Sequence, residues 1–293
     1  MNRETKLIIS DKNKAEFLRY HILPFCKILI IKEINLKKLP YLPNCEFLYC
    51  PNNQIETIPP LPKCKYINMI NNNIEILPSL PECETLYMAV NKIKYLSSMD
   101  KLLFLHISKN QLTEIPSLPM CKTIYASGNM IHTLHLLPKC THLYIWKNNI
   151  LNIDSSILPM LEEINISSNR LHSFPTFSKL KKCIVSHNNM SMFEYQPLCE
   201  YIDVSYNFLR SIPSLPKCKY LYISYNHLLK GFSNVPLLEY LSCSSELEID
   251  DYEKTMDIVY EDEEHIDFEY KSTKDFDEGF PSQNASYFIT EIV

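Results

Sequence analysis

The sequence contains very little glycine, only 3 of 293 residues. Gly128, Gly231 and Gly279 stand far apart, so no glycine-rich loop is available to cradle a phosphate group, and nucleotide sites of that kind are excluded. The chain also has no run of 18 apolar residues, which argues against a transmembrane helix, and no signal-type apolar stretch follows its first residues. Its 19 prolines disfavour long uninterrupted helices.

The net charge of −5 conceals an asymmetry along the chain. Residues 246–293 carry 16 Asp or Glu and 3 Lys, which leaves 18 acidic and 26 basic residues in 1–245. The sequence therefore predicts a mildly basic body followed by an acidic tail.

A repeat dominates the body and can be written C-x-x-L-x-I-x-x-N-x-I-x-x-I-P-x-L-P-x, with Cys at position 1 and Asn at position 9. The Asn recurs at Asn53, Asn72, Asn91, Asn110, Asn129, Asn148, Asn169, Asn188, Asn207 and Asn226. Every interval is 19 residues except that from Asn148 to Asn169, which is 21. We number the coils from the degenerate unit at Cys26 to the one at Leu238, about twelve in all.

Each position of the repeat has a physical role. Positions 4 and 6 alternate as in a strand, and neighbouring coils must stack to bury them, which predicts a parallel sheet with strands about 4.8 Å apart. We expect each Asn to be buried and to bond backbone groups of its own coil and the next, because an unsatisfied buried amide is costly. The P-x-L-P half fixes an extended backbone and leaves no room for a helix.

These motifs resemble those of the leucine-rich repeat superfamily, L-x-x-L-x-L-x-x-N-x-L. The P-x-L-P half resembles the short repeats of bacterial leucine-rich effectors. The 19-residue period, with Cys at position 1 and a composition rich in Lys, Ile, Asn and Tyr, resembles leucine-rich repeat proteins of giant, mimivirus-like DNA viruses. The resemblance implies a leucine-rich repeat solenoid, an α/β-class horseshoe that is mostly β. Its parallel sheet would line the concave face, and its convex side would be extended and polyproline-like, with little helix.

Three regions are predicted on this basis. Residues 1–25, which include Phe17, Leu18 and Ile22, are expected to form an N-terminal cap. Residues 26–246 hold about twelve repeats of 19 residues. Residues 247–293 form the acidic tail, expected to be partly a cap and partly disordered.

The cysteines are interpreted as buried hydrophobic residues. Eight of the 11 occupy position 1, where Leu stands in other coils, and no C-x-x-C pair suggests zinc. His132-x-x-His135 is interpreted as a solvated pair with no carboxylate in register. Glu162 and Glu163 are interpreted as surface residues because neighbours on a strand face opposite sides. No catalytic constellation, metal site or cofactor is expected.

Charges at position 2 alternate in sign from coil to coil, as in Lys27 and Glu46 or Lys181 and Glu200. Unlike charges would then oppose each other on neighbouring strands and help to fix the register. Much of the charge of the body is thus interpreted as structural, which weakens a nucleic-acid interpretation.

Positions 3, 5, 7 and 8 are expected to face the concave side, and they are rich in aromatic residues. Tyrosine and tryptophan offer a large contact area with few rotatable bonds, so we interpret the stripe as a partner-binding surface. The candidate residues are Tyr87, Phe104, His106, Tyr125, Tyr144, Trp146, Tyr201, Tyr220 and Tyr222. Serines at position 7 of coils 8–12 are expected to make that half flatter and more polar.

The sequence therefore favours a non-enzymatic, monomeric scaffold that binds a protein on its concave aromatic face. The alternative is a nucleic-acid-binding solenoid that uses the basic body and aromatic stacking. An intracellular, cytoplasmic location is expected (host cytoplasm for a viral protein), because so many thiols outside capping domains indicate a reducing compartment.

Overall fold

A computed structural model describes residues 6–232, 234–245, 247 and 257–260. Short strands recur along this part of the chain, and helix is confined to single turns. The strands are β1 Lys6–Ile9, β2 Ile28–Ile31, β3 Phe47–Tyr49, β4 Tyr66–Asn68, β5 Thr85–Tyr87, β6 Phe104–His106, β7 Glu114–Ile115, β8 Thr123–Tyr125, β9 Thr133–Leu134, β10 His142–Tyr144, β11 Glu163–Asn165, β12 Ser173–Phe174, β13 Lys182–Ile184, β14 Met192–Phe193, β15 Tyr201–Asp203, β16 Tyr220–Tyr222, β17 Tyr240–Cys243 and β18 Asp257–Tyr260. The helices are the 3-10 turns η1 Asp11–Asn13 and η2 Ser155–Ile157 and the α-helical turn α1 Lys14–Phe17.

The main sheet has 14 strands in the described residues, all parallel, and they follow chain order from β1 to β18 with β7, β9, β12 and β14 left out. Neighbouring coils pair without slippage, so that position 3 faces position 3, as Phe47 faces Tyr66. The result is a parallel-strand solenoid of about 13 turns with very little helix, as the repeat predicts.

The core is a single column of apolar side chains enclosed by the coils. Positions 1, 4, 6 and 11 supply it, as Leu102, Leu105, Ile107 and Leu112 do in coil 5, all fully buried. Because one coil cannot close this space alone, each layer depends on the coil above and the coil below it.

The Asn column is buried and satisfied, but it links coils in the direction opposite to our expectation. The Asn129 side chain donates to Ala126 O of its own coil at 3.1 Å and to Ile107 O of the preceding coil at 3.1 Å. Its Oδ1 accepts from the backbone N–H of Leu112, also in the preceding coil. The chain turns at position 8, where φ is positive, and the Asn that follows this turn presents its amide to the earlier layer.

The side opposite the main sheet is extended, as the P-x-L-P motif predicts. Two short parallel pairs, β7 with β9 and β12 with β14, provide its only strands in the described residues. The two extra residues of coil 7 lie here, where η2 is capped by Asp154, whose side chain accepts from Ser156 N at 2.9 Å. An insertion on this side lengthens a turn and leaves the register of the main sheet intact.

Unlike charges at position 2 face each other across neighbouring strands. The pairs are Lys27–Glu46 at 3.0 Å, Glu162–Lys181 at 2.7 Å and Glu200–Lys219 at 3.1 Å. Lys181 lowers the pKa of Glu162, through a hydrogen bond and its charge, and Glu162 raises the pKa of Lys181 in the same way. The predicted alternation is confirmed for these pairs.

The sheet continues beyond the repeats at both ends. β1 pairs with β2, and Phe17 of α1 is buried, whereas Leu18 and Ile22 are exposed. β18 pairs with β17 in the region expected to cap the other end. The division into cap, repeats and tail stays a prediction, and most of the tail lies outside the described residues. Within the described part, no helix has the length and apolar character needed to cross a membrane.

Candidate functional site

A continuous array of aromatic rings crosses the face of the main sheet that points away from the core, which we call the open face. From coil 2 to coil 7 the array comprises Phe47, Tyr66, Tyr87, Phe104, His106, Tyr125 and Tyr144. Phe47 and Tyr66 stack with centroids 4.4 Å apart, and Tyr125 and Tyr144 stack at 4.6 Å. Both separations match the spacing of neighbouring strands, so the register itself brings the rings into contact.

The array crosses from position 3 to position 5 and back as it passes between coils. Thr85 and Thr123 occupy position 3 of coils 4 and 6, and in those coils the ring comes from Tyr87 or Tyr125 at position 5. Tyr87 thus meets the position-3 ring of Phe104 at 4.9 Å. Each of these coils therefore contributes at least one ring to an unbroken surface.

Three of the candidate residues are buried, which corrects the expectation that they are exposed. The exposed fraction is 8% for Tyr125, 6% for Tyr144 and 3% for Trp146. Tyr125 and Tyr144 cover each other by stacking. Trp146 lies in the position-7 row between Ser127 and Ser167. Because these two neighbours are small, they leave space in which the large indole is buried.

The other candidates keep accessible surface. Tyr87, Phe104, His106, Tyr201 and Tyr222 are half-buried, and Tyr220 is 41% exposed. Of the nine candidates, these six can therefore touch a partner directly.

Polar groups lie at the end of the array beyond coil 7. Tyr144 Oη donates to Glu163 Oε2 at 3.0 Å, and His142 Nε2 lies 3.9 Å from Glu163 Oε1. Burial, followed by the Glu163 carboxylate, raises the pKa of Tyr144 well above its ordinary value, and the same two causes raise that of Tyr125 to about 12. Glu163, interpreted from the sequence as a surface residue, is half-buried and orients the last ring of the array.

A second ring cluster occupies the open face in coils 10–12. Tyr222 lies 5.2 Å from Tyr201 and 5.1 Å from Tyr240, measured between ring centroids. Lys182 Nζ lies 5.2 Å from the centre of the Tyr201 ring, within range of a cation–π interaction. The structure thus brings Tyr201, Tyr220 and Tyr222 together, apart from the first array.

The position-7 serines do not make the later coils a polar surface, contrary to our expectation. Ser167, Ser186, Ser205 and Ser224 are buried, and only Ser244 is half-buried. Their hydroxyl groups are used internally, as where Ser167 Oγ donates to Asn165 Oδ1 at 2.7 Å.

Position 8 is expected from the sequence to face the concave side, but the left-handed backbone at this position is not predicted. In coils 2–11 this residue has φ between 52° and 63°, the left-handed region that favours glycine, although only Gly128 is a glycine there. Besides Gly128, only Asn52 and Asn71 indicate this conformation in the sequence, because Asn tolerates the left-handed region better than most residues. In coils 9–11 position 8 carries three rings that stack on one another. The ring centroids of His187 and Tyr225 each lie within 4.1 Å of the Tyr206 centroid.

The cysteines are buried free thiols, as expected, and each position-1 thiol also has a polar role. In all eight, the S–H group donates to the carbonyl oxygen two residues later, with sulfur–oxygen distances of 3.2–3.6 Å. Burial raises the pKa of Cys121 to about 12, so this thiol stays protonated at neutral pH. No group of three or more His, Cys, Asp or Glu suited to a metal ion occurs in the described residues.

The pair His132 and His135 is exposed, as expected, but our expectation of no carboxylate in register is wrong. His135 Nε2 lies 3.2 Å from Glu114 Oε2, because β7 and β9 pair and bring Glu114 of the preceding coil alongside.

No protein-family model matches the chain, and no curated protein matches it. Solved structures do. The leucine-rich repeat domain of APL1B is 18% identical, with a TM-score of 0.65 over 90% of this chain and 88% of that one. YopM from Yersinia pestis, a leucine-rich effector protein, is 23% identical, with a TM-score of 0.61 over 81% and 77%. YopM from Yersinia enterocolitica WA-314 is 20% identical, with a TM-score of 0.59 over 83% and 74%. The similarity establishes that the chain has the leucine-rich repeat fold.

Proposed function

We propose that the chain is a non-enzymatic scaffold that binds a protein partner on the open face of its sheet. The observation that supports this function is the unbroken ring array from Phe47 to Tyr144. Binding energy in protein interfaces concentrates in a few rigid aromatic or arginine anchors, and an array of this kind supplies several within one surface.

The accessible and buried rings have different roles in this proposal. Tyr87, Phe104 and His106 are half-buried and would contact the partner, whereas Tyr125 and Tyr144 are buried and would hold the array flat. Rigid support matters because a side chain already fixed by packing loses little entropy when a partner binds. The cluster of Tyr201, Tyr220 and Tyr222 would extend the contact or serve a second segment of the same partner.

The test is the double variant Tyr87→Ala with Phe104→Ala. Truncating one anchor costs about 2 kcal/mol or more, which is about 30-fold in affinity, so the double variant should bind a partner identified by affinity capture more than about 30-fold more weakly. Tyr95→Ala is the matched control, since Tyr95 is an aromatic residue of coil 4 that is 77% exposed and lies outside the open face. Circular dichroism and melting temperature should be unchanged in both proteins.

The proposal is wrong if the folded double variant binds the partner as the wild type does. Binding of a single-stranded oligonucleotide that weakens steeply with salt and is lost in the double variant would favour the nucleic-acid alternative instead.

A further inference from the structure

One flank of the solenoid carries a band of cations, which is bordered at its first coil by Glu56 and Glu75, the residues that line a cavity together with Lys92. The flank consists of positions 8, 10 and 12 in coils 4–11, where the chain leaves each strand. Neighbouring coils are in register here, since Gln111 N donates to Ile93 O and His132 N donates to Thr113 O, both at 2.9 Å. No Asp or Glu occupies any of these positions. The cations are Lys92, Lys94, Lys109, Lys147, Arg170 and Arg210.

This arrangement differs from that at position 2, on the other side of the strands. There the cations face Glu residues of the neighbouring coil, as in Lys181 with Glu162. On the flank, Lys92, Lys147 and Arg170 are exposed, and none of the three forms an ion pair with another described residue. A row of like charges attracts an anionic partner, whose binding neutralises the repulsion among them.

Exposed apolar side chains and amides lie between the cations. Met130, Leu151 and Phe208 are all about half exposed, although each lies next to a buried residue of its coil. Gln111 and Asn149, both at position 10, are half-buried and offer side-chain amides that can both donate and accept. The flank therefore presents charge, apolar surface and amides together.

We propose that this flank binds an extended acidic polypeptide segment that also carries apolar side chains. Carboxylates would meet the cations, apolar side chains would cover Met130, Leu151 and Phe208, and the amides would pair with backbone groups of the segment. A single-stranded nucleic acid fits less well, because its phosphate backbone has no apolar side chains to cover Met130, Leu151 and Phe208. The faces between the stacked rings of His187, Tyr206 and Tyr225 are also already occupied, so bases cannot stack there.

The experiment measures the fluorescence anisotropy of a labelled peptide of about 12 residues, built from Glu, Asp and Phe. Its extended length matches eight coils at about 4.8 Å each. The flank variant is K92E/K147E/R170E in the full chain. The control is K122E/K139E/K217E, which changes the net charge equally through exposed lysines outside the flank. We expect the wild type to bind more weakly as salt rises, the flank variant to lose at least about tenfold in affinity, and the control to change by less than about threefold.

A second pair of measurements tests the apolar part. Phe208→Ser should weaken binding of the Phe-containing peptide but not of the same peptide with Ser in place of Phe. If the charge-reversed protein unfolds, the variant K92Q/K147Q/R170Q replaces it. The Tyr87→Ala, Phe104→Ala protein should bind the peptide normally, because this site does not depend on the open face.

Three results would overturn the proposal. The first is no binding by the wild type at low salt. The second is an equal loss in the flank and control variants, which would mean that net charge alone acts. The third is tighter binding of an oligothymidylate than of the peptide, lost in the flank variant, which would identify the site as one for nucleic acid.

Discussion

The side chain of Asn129 satisfies the backbone N–H of Leu112, which belongs to the preceding coil, at a distance of 3.0 Å. Replacing Asn129 with alanine leaves this buried N–H without an acceptor, whereas the carbonyl groups of Ile107 and Ala126 keep the side-chain amides of Asn110 and Asn148 as donors. A buried donor left unsatisfied costs about 1–3 kcal/mol, so we expect the free energy of unfolding to fall by about that amount.

Asn73→Ala is the matched control for this change, because Asn73 is a half-buried asparagine one position beyond the ladder residue Asn72. Urea denaturation measures the difference in the free energy of unfolding between the two variants, and equal m-values allow their midpoints to be compared directly. Equal midpoints would contradict the role assigned to the ladder.

The left-handed backbone at position 8 predicts a stabilising substitution. Val90 has φ of 57°, and a β-branched residue is strained there. In the preceding coils the same position forms an amide ladder, where Asn71 Nδ2 donates to Asn52 Oδ1 at 3.1 Å. Val90→Asn should relieve the strain and extend the ladder, raising the free energy of unfolding by about 1 kcal/mol. A lower denaturation midpoint than that of Val90→Ala would refute this account.

Trp146 is the only tryptophan and is a structural residue in this fold. Trp146→Ala should cost about 3–5 kcal/mol because it leaves a cavity, whereas Tyr220→Ala, at an exposed position, should change stability by no more than about 0.5 kcal/mol. Tryptophan fluorescence of the wild type should be blue-shifted and poorly quenched by acrylamide until the chain unfolds. Strong quenching of the native protein would show that the indole is exposed after all.

The stacked tyrosines predict a loss of stability in alkali. Burial raises the pKa of Tyr125 from its ordinary value of 10.0 to about 12. The neutral phenol is thus favoured in the folded state. Its contribution to the free energy of unfolding is complete below about pH 10 and is lost as the pH rises towards 12. Denaturation midpoints between these pH values should fall less steeply for Tyr125→Phe than for the wild type. Tyr95→Phe, at an exposed site, should follow the wild type, and identical slopes in all three proteins would contradict the prediction.

The sequence predicts the periodic parts of the structure better than the aperiodic ones. The Asn column and the inward positions 4 and 6 repeat in nearly every layer, and the charge pairs at position 2 recur in several layers, so the sequence indicates their physical role. The left-handed turn at position 8 also repeats, but Val90, Lys109 and Tyr206 occupy it, and none of these residue types indicates it. There the backbone conformation is imposed by the bonds between coils rather than by local preference.

The candidate site shows the same division. The alternation of positions 3 and 5 predicts which rings share the open face, because it follows from the strand. The burial of Trp146 and Tyr144 could not be predicted in this way, since it depends on the size of the side chains in the neighbouring coils.

The backward reach of the asparagines gives the solenoid a direction. A coil obtains the acceptor for its position-11 N–H group only from the coil that follows it in sequence. During synthesis from the N-terminus, each layer is therefore completed by the next one to leave the ribosome, and the ladder closes in the order of translation. On the ribosome, the newest coil is therefore always the unfinished one.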